Sequence, residues 1–102
     1  MYSIEIFLPL YDNEGRAFGR ADFARVRNEL AERYGGVTAF TRAPAEGVWQ
    51  AESGDLSRDE LVIFEVMAEE LDRDWWTEYR EALRRRFRQE ELLMRATATE
   101  LL

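Results

Sequence analysis

Leu61-Val62-Ile63-Phe64-Glu65-Val66-Met67 is the stretch on which the fold turns. Its β-branched and aromatic residues read as a strand, with Val62, Phe64 and Val66 on one face and Ile63, Glu65 and Met67 on the other. Downstream, Asp72 to Glu90 carries the stripe Trp76, Tyr79, Leu83 and Phe87 of an amphipathic helix. Asp72 suits its N-cap, and Leu71 with Trp76 has the spacing of a hydrophobic staple. Leu92 to Thr99 alternates again, Met94, Ala96 and Ala98 against Leu93, Arg95 and Thr97.

Upstream, Tyr2 to Leu8 alternates Tyr2, Ile4, Ile6 and Leu8 with Ser3, Glu5 and Phe7, and Asp12-Asn13-Glu14-Gly15 is a turn cluster. Arg20 to Tyr34 places Phe23, Val26, Leu30 and Tyr34 on one helical stripe, with Gly19 at the N-cap and Gly35-Gly36 as the stop. Residues 37 to 51 read as one strand interrupted from Arg42 to Gly47, with Trp49 returning to the ladder. Pro44 has no amide hydrogen to donate, and Gly47 admits a positive φ.

The order is β-α-β-β-α-β, an α+β ferredoxin-like split βαβ arrangement, expected as a single domain over 1–102. Right-handed crossovers put both helices on one face of a four-stranded antiparallel sheet ordered 4-1-3-2. Ile4, Ile6, Val62, Phe64, Val66, Met94 and Ala96 then face the helices. Glu5, Phe7, Phe40, Ile63, Glu65, Met67, Arg95 and Thr97 fall on the other, open face, which is too apolar for a plain solvated surface.

Composition bounds the chemistry. The 102 residues hold fourteen basic side chains, all arginine, against twenty-one acidic ones, for a net charge of −7, with no histidine, lysine or cysteine. Disulfides, thiolate nucleophiles, histidine bases, Schiff-base lysines and a Walker A loop are thereby excluded. Any catalysis must use Asp, Glu, Arg, Tyr, Ser, Thr, backbone dipoles or a borrowed cofactor. The charge opposes non-specific nucleic-acid binding. Met1 to Ile6 has neither the basic nor the long apolar stretch of a secretory leader, and the apolar runs are far short of a bilayer span, so a cytoplasmic protein with no membrane contact is expected.

Ile4 to Asp12, Gly35 to Phe40 and above all Ala45-Glu46-Gly47-Val48-Trp49 resemble a family of uncharacterised bacterial proteins of about this length. That resemblance implies the fold and names no function. In size and topology the chain is also similar to the dimeric α+β barrel proteins, which include small cofactor-free monooxygenases; several of those use histidine, which this chain lacks.

The sharpest candidate constellation is Glu5, Glu65 and Arg95, which the strand order brings side by side on the open face. Paired carboxylates push one pKa up unless a cation intervenes, and Arg95 can quench that or bind a substrate carboxylate. A structural ion pair accounts for the three as well and is the preferred reading. Phe7, Phe40, Trp49, Trp75 and Met67 are candidates for a ligand pocket or interface, weighed against core packing, the first use of aromatic residues. Arg84-Arg85-Arg86 and Arg88 read as helix-dipole partners, with Glu81–Arg85 and Arg86–Glu90 pairs. Asp12 and Glu14 begin a calcium-loop pattern, but Arg16 and Ala17 break it. Glu69, Glu70, Asp72 and Asp74 fit a helix start better than a cation site. No cofactor and no metal are expected.

These readings favour a non-catalytic homo-oligomeric module, a homodimer or larger, that binds a partner or a small apolar ligand. The alternative is a small cofactor-independent enzyme, monooxygenase- or isomerase-like, using Glu, Tyr, Arg and Trp. Self-association is expected because Phe7, Phe40, Ile63 and Met67 would otherwise lie in water.

Overall fold

A computed structural model describes residues 1–42 and 60–102 of the chain. The elements run β1 (Tyr2–Pro9), α1 (Arg20–Tyr34), β2 (Thr38–Arg42), β3 (Leu61–Ala68), α2 (Arg73–Arg86) and β4 (Met94–Ala98). They form one sheet in the order β2-β3-β1-β4, antiparallel throughout, which is the ferredoxin-like order the alternation predicts. Arg42 closes β2 opposite Leu61. The rest of the expected break through Gly47, and the return at Trp49, lie outside the described residues.

Both helices cover the same sheet face. Phe23 of α1 meets Phe87 at the end of α2 with ring centroids 5.5 Å apart, and Tyr34 stacks on Trp76 at the same separation. Beneath them Ile4, Ile6, Leu8, Phe64 and Val66 join Val26, Leu30 and Leu83 in one buried cluster. The inward positions of each strand and the helical stripes are therefore the ones that periodicity selects. Glu29 of α1 and Arg86 of α2 bridge the helix pair through a two-pronged ion pair, one prong 2.8 Å long, and the Tyr79 hydroxyl donates to Glu29 at 3.2 Å.

Helix boundaries follow local capping. At α1 the Gly19 amide donates to the Asp22 carboxylate at 3.0 Å, and Gly35 closes the helix at φ 74°. At α2 the Asp72 carboxylate accepts from the Trp75 amide, as an N-cap does. That helix ends at Arg86, four residues short of the expected Glu90. The Gln89 amide reaches back to Arg84 O and the Arg88 amide to Arg85 O, the bond pair of a Schellman motif. Arg88 sits at φ 50°, where glycine is usual, so no glycine in the sequence marks the stop. β4 also begins two residues later than the alternation suggests. Leu92 is instead buried in the core ahead of it.

The arginine run pairs differently from expectation. Arg84 takes Glu81 at 3.0 Å, Arg86 takes Glu29, and Arg88 takes Asp12 at 3.3 Å; neither a Glu81–Arg85 nor an Arg86–Glu90 pair forms. The long-range partners Glu29 and Asp12 are brought in by α1 and by the turn after β1, which helical spacing cannot foresee.

Candidate functional site

The face of the sheet away from the helices is ordered by register. Thr38, Glu65, Glu5 and Arg95 occupy one row across β2, β3, β1 and β4. The row toward one end holds Phe40, Ile63 and Phe7; the row toward the other holds Met67, Ser3 and Thr97. Leu10 N–H bonds Glu60 O, continuing the β1–β3 ladder, so the even residues of β1 form its hydrogen-bonded pairs. Glu5 and Glu65 therefore make a non-hydrogen-bonded pair, the kind in which facing side chains stand closest.

Two like charges directly opposite destabilise a sheet. Each carboxylate here has its own partner. The Arg95 Nε donates to Glu5 Oε1 at 2.9 Å, and the Ser3 hydroxyl donates to Glu65 Oε2 at 3.2 Å. The Arg95 guanidinium also lies 5.1 Å from the Phe7 ring centroid, a cation–π contact. The row thus contains one neutralised carboxylate and one carboxylate, Glu65, bound only by a hydroxyl among the described residues. An apolar floor adjoins it.

That floor is already covered in the single chain. Phe7 is 8% exposed and Ile63 1%, so the expectation that a monomer leaves them in water is corrected. Phe7 also forms one wall of a cleft of about 470 Å³ at the end of the sheet, shared with Pro9, Tyr11, Glu60, Leu61 and Leu93. On its rim Asp12 Oδ1 accepts the Glu14 and Arg16 amides, each at 2.9 Å. Those amide bonds, led by Arg16 and helped by Arg88, hold the Asp12 carboxyl below its usual range. Asp12 is therefore a turn-former.

The other candidates separate. Met67 is half-buried on the open face, and Phe40 takes the β2 position opposite Ile63. Trp75 belongs to the helix layer, across the sheet from Phe7. It stacks on Tyr79 at 4.8 Å, and the Arg33 guanidinium covers it at 4.1 Å. Trp49 lies outside the described residues. Asp72 is engaged as the α2 cap and by Arg33 at 3.3 Å. Among the described residues no group of acidic side chains is arranged to hold a metal ion, and no helix is long and apolar enough to cross a membrane.

Sequence reasoning missed Ser3 as the partner of Glu65 and missed the cleft at the sheet end. Ser3 was within reach: it shares the parity of Glu5 and lies diagonal to Glu65 once the β1–β3 register is known. The cleft was not, because it is made by three chain segments far apart in sequence.

The architecture defines a small ferredoxin-like α+β protein with a mixed polar and apolar open face. No protein-family model matches the chain, and no curated protein matches it in sequence. Among solved structures it is similar to a phage SAM lyase in complex with S-methyl-5′-thioadenosine, with a TM-score of 0.61 and 21% identity, covering 94% of this chain and 79% of that one. It is likewise similar to a phage SAM lyase in the apo state, with a TM-score of 0.61 and 18% identity, covering 94% and 78%. At those identities the likeness concerns the fold.

Proposed function

We propose that this chain is a small enzyme that binds a sulfonium compound of the S-adenosylmethionine type at the open sheet face and cleaves a carbon–sulfur bond, as a lyase. The observation that carries the reading is Glu65, a carboxylate without a cationic partner among the described residues, one row away from Phe7, whose ring forms a wall of the cleft of about 470 Å³ at the end of the sheet. A sulfonium is a soft cation surrounded by carbon, and a carboxylate next to aromatic surface is the chemistry that recognises such a group. The similarity to SAM lyases supports the choice of substrate class.

The residue inventory supports the choice of reaction. When the C–S bond of a sulfonium breaks, its electron pair stays on sulfur and a neutral thioether leaves. The carbon fragment then closes a bond on itself or sheds a proton. Neither outcome calls for a thiolate, an imidazole or a lysine amine, none of which this chain has. Glu65 holds the cation and receives any proton that is shed; Arg95 keeps Glu5 occupied, so that among the described residues of the row Glu65 is the carboxylate left to meet a cation.

The test is incubation of the purified chain with S-adenosylmethionine, following S-methyl-5′-thioadenosine by mass spectrometry. Turnover is expected, with a loss of about 10²-fold or more in Glu65→Gln, the size of effect that removal of a positioned acid–base group produces. Absence of product sinks the enzymatic reading. Saturable binding of S-methyl-5′-thioadenosine without turnover favours the non-catalytic ligand-binding module instead.

A further inference from the structure

On the opposite, helix side of the sheet a cleft of about 190 Å³ runs between α2 and the outer strand β4, lined by Leu71, Trp76, Met94 and Ala96 with Arg73 and Arg80. Arg73, Trp76, Thr77 and Arg80 follow the i, i+3, i+4, i+7 spacing, so a single stripe of α2 faces it. A stripe that turns toward a sheet is normally apolar from end to end; this one begins and ends in arginine. Among the described residues neither arginine takes part in an ion pair. No acidic side chain among the described residues lines the cleft, although the chain as a whole carries −7.

Two further observations mark the place as short of acceptors. Trp76 is 7% exposed, and its Nε1–H is a buried donor without a partner among the described residues. Buried polar groups are nearly always satisfied, so an orphan beside a cleft asks for an explanation. The strand edge adds to this. Phe7 N–H bonds Leu93 O and Thr99 N–H bonds Met1 O, so the odd residues of β4 bond inward to β1. Met94 and Ala96 consequently turn their backbone amides to the free edge, next to the cleft their side chains line.

We propose that this cleft binds a small carboxylate with an apolar body, the carboxylate held by Arg73 and Arg80 and the body resting on Leu71, Trp76 and Met94. Arginine matches a planar carboxylate with two parallel bonds, and the apolar floor gives the rest of the ligand a place that inorganic phosphate would leave empty. The volume is about six waters at roughly 30 Å³ each. That is below the roughly 300 Å³ at which sites for drug-sized ligands begin, so a single-ring or short branched acid is the fitting size. Arg95 also borders the cleft, but Arg73 and Arg80, which carry the proposal, take no part in the lyase reading, so its failure and the failure of that reading are separate results.

The experiment follows the three indole N–H resonances of the full chain by proton–nitrogen NMR during titration with sodium benzoate, benzamide and inorganic phosphate at constant ionic strength. Trp76→Phe assigns the reporting resonance; if that variant does not fold, Trp75→Phe and Trp49→Phe assign it by elimination. Benzoate is expected to shift the Trp76 indole saturably with a Kd on the order of 1 mM, as suits so small a ligand. Benzamide and phosphate are expected to bind at least tenfold more weakly. Arg73→Gln with Arg80→Gln, both on the surface, should weaken benzoate by at least tenfold while leaving the rest of the spectrum in place. A shift that does not saturate, an equal response to benzamide or to phosphate, or an unchanged Kd in the double variant overturns the proposal.

Discussion

The two faces of the same sheet solve different problems with the same alternation. On the helix side every inward residue of β1 and β3 is aliphatic or aromatic, and the covering layer adds Trp76, Tyr79, Leu83 and Phe87. Charge meets that layer at its margin, as in the Glu29–Arg86 pair, where both side chains keep partial contact with water. On the other face Ile63 and Phe7 are just as buried, yet one row away stand two carboxylates, an arginine and a serine. A helix layer excludes water from the whole face beneath it, so a charge there would be stripped of solvent. Among the described residues no helix covers the polar row of the open face, which can hold charge next to apolar surface, the combination a ligand site needs.

Substitutions can break this contrast. Phe87→Ala, at 1% exposure between Phe18 and Phe23, is expected to cost about 3–5 kcal/mol in a urea unfolding experiment. Ile63→Ala on the open face is expected to cost about 2–5 kcal/mol, a core-like loss. A loss below about 1 kcal/mol would mean that the open face is apolar without being packed. Phe7→Glu should unfold the chain rather than merely detach a partner, because it sets an unpaired charge at a buried position. Circular dichroism separates the two outcomes.

A smaller effect distinguishes the helix pair. The Arg86 hydrogen bond, opposed by partial burial, holds the Glu29 carboxyl below its usual range. A carboxyl lowered in the folded state stabilises fully above its unfolded pKa, and that contribution disappears as the pH falls through the lower folded value. Glu29→Gln should therefore cost about 1 kcal/mol at pH 7 and progressively less in acid below the ordinary glutamate range. A cost that stays constant with pH would remove the ion pair as its cause. Smallest of all, Arg88→Gly relieves a left-handed backbone but gives up an exposed contact with Asp12, for a net gain below about 1 kcal/mol in thermal melts.

Strand parity, both helical stripes and the sheet order were legible from residue spacing, because period 2 and period 3.6 write the buried face directly into the chain. Glu5, Glu65 and Arg95 were legible as neighbours for the same reason. The end of α2 was not, since Arg88 takes a conformation its side chain does not advertise. The separation of Trp75 from Phe7 by the sheet was legible too, since Trp75 falls in the second helix and Phe7 on the strand face away from both helices.

The sequence by itself determined which side chains share a face and which chemistries are absent, because alternation and composition are local properties. Only the tertiary structure decided that Ser3 serves Glu65, that Arg95 rather than solvent meets Glu5, and that Arg73 and Arg80 frame an acceptor-poor cleft beside Trp76. Those facts depend on register and on which elements lie side by side. Both are settled by the burial of the whole core at once, not by any one segment.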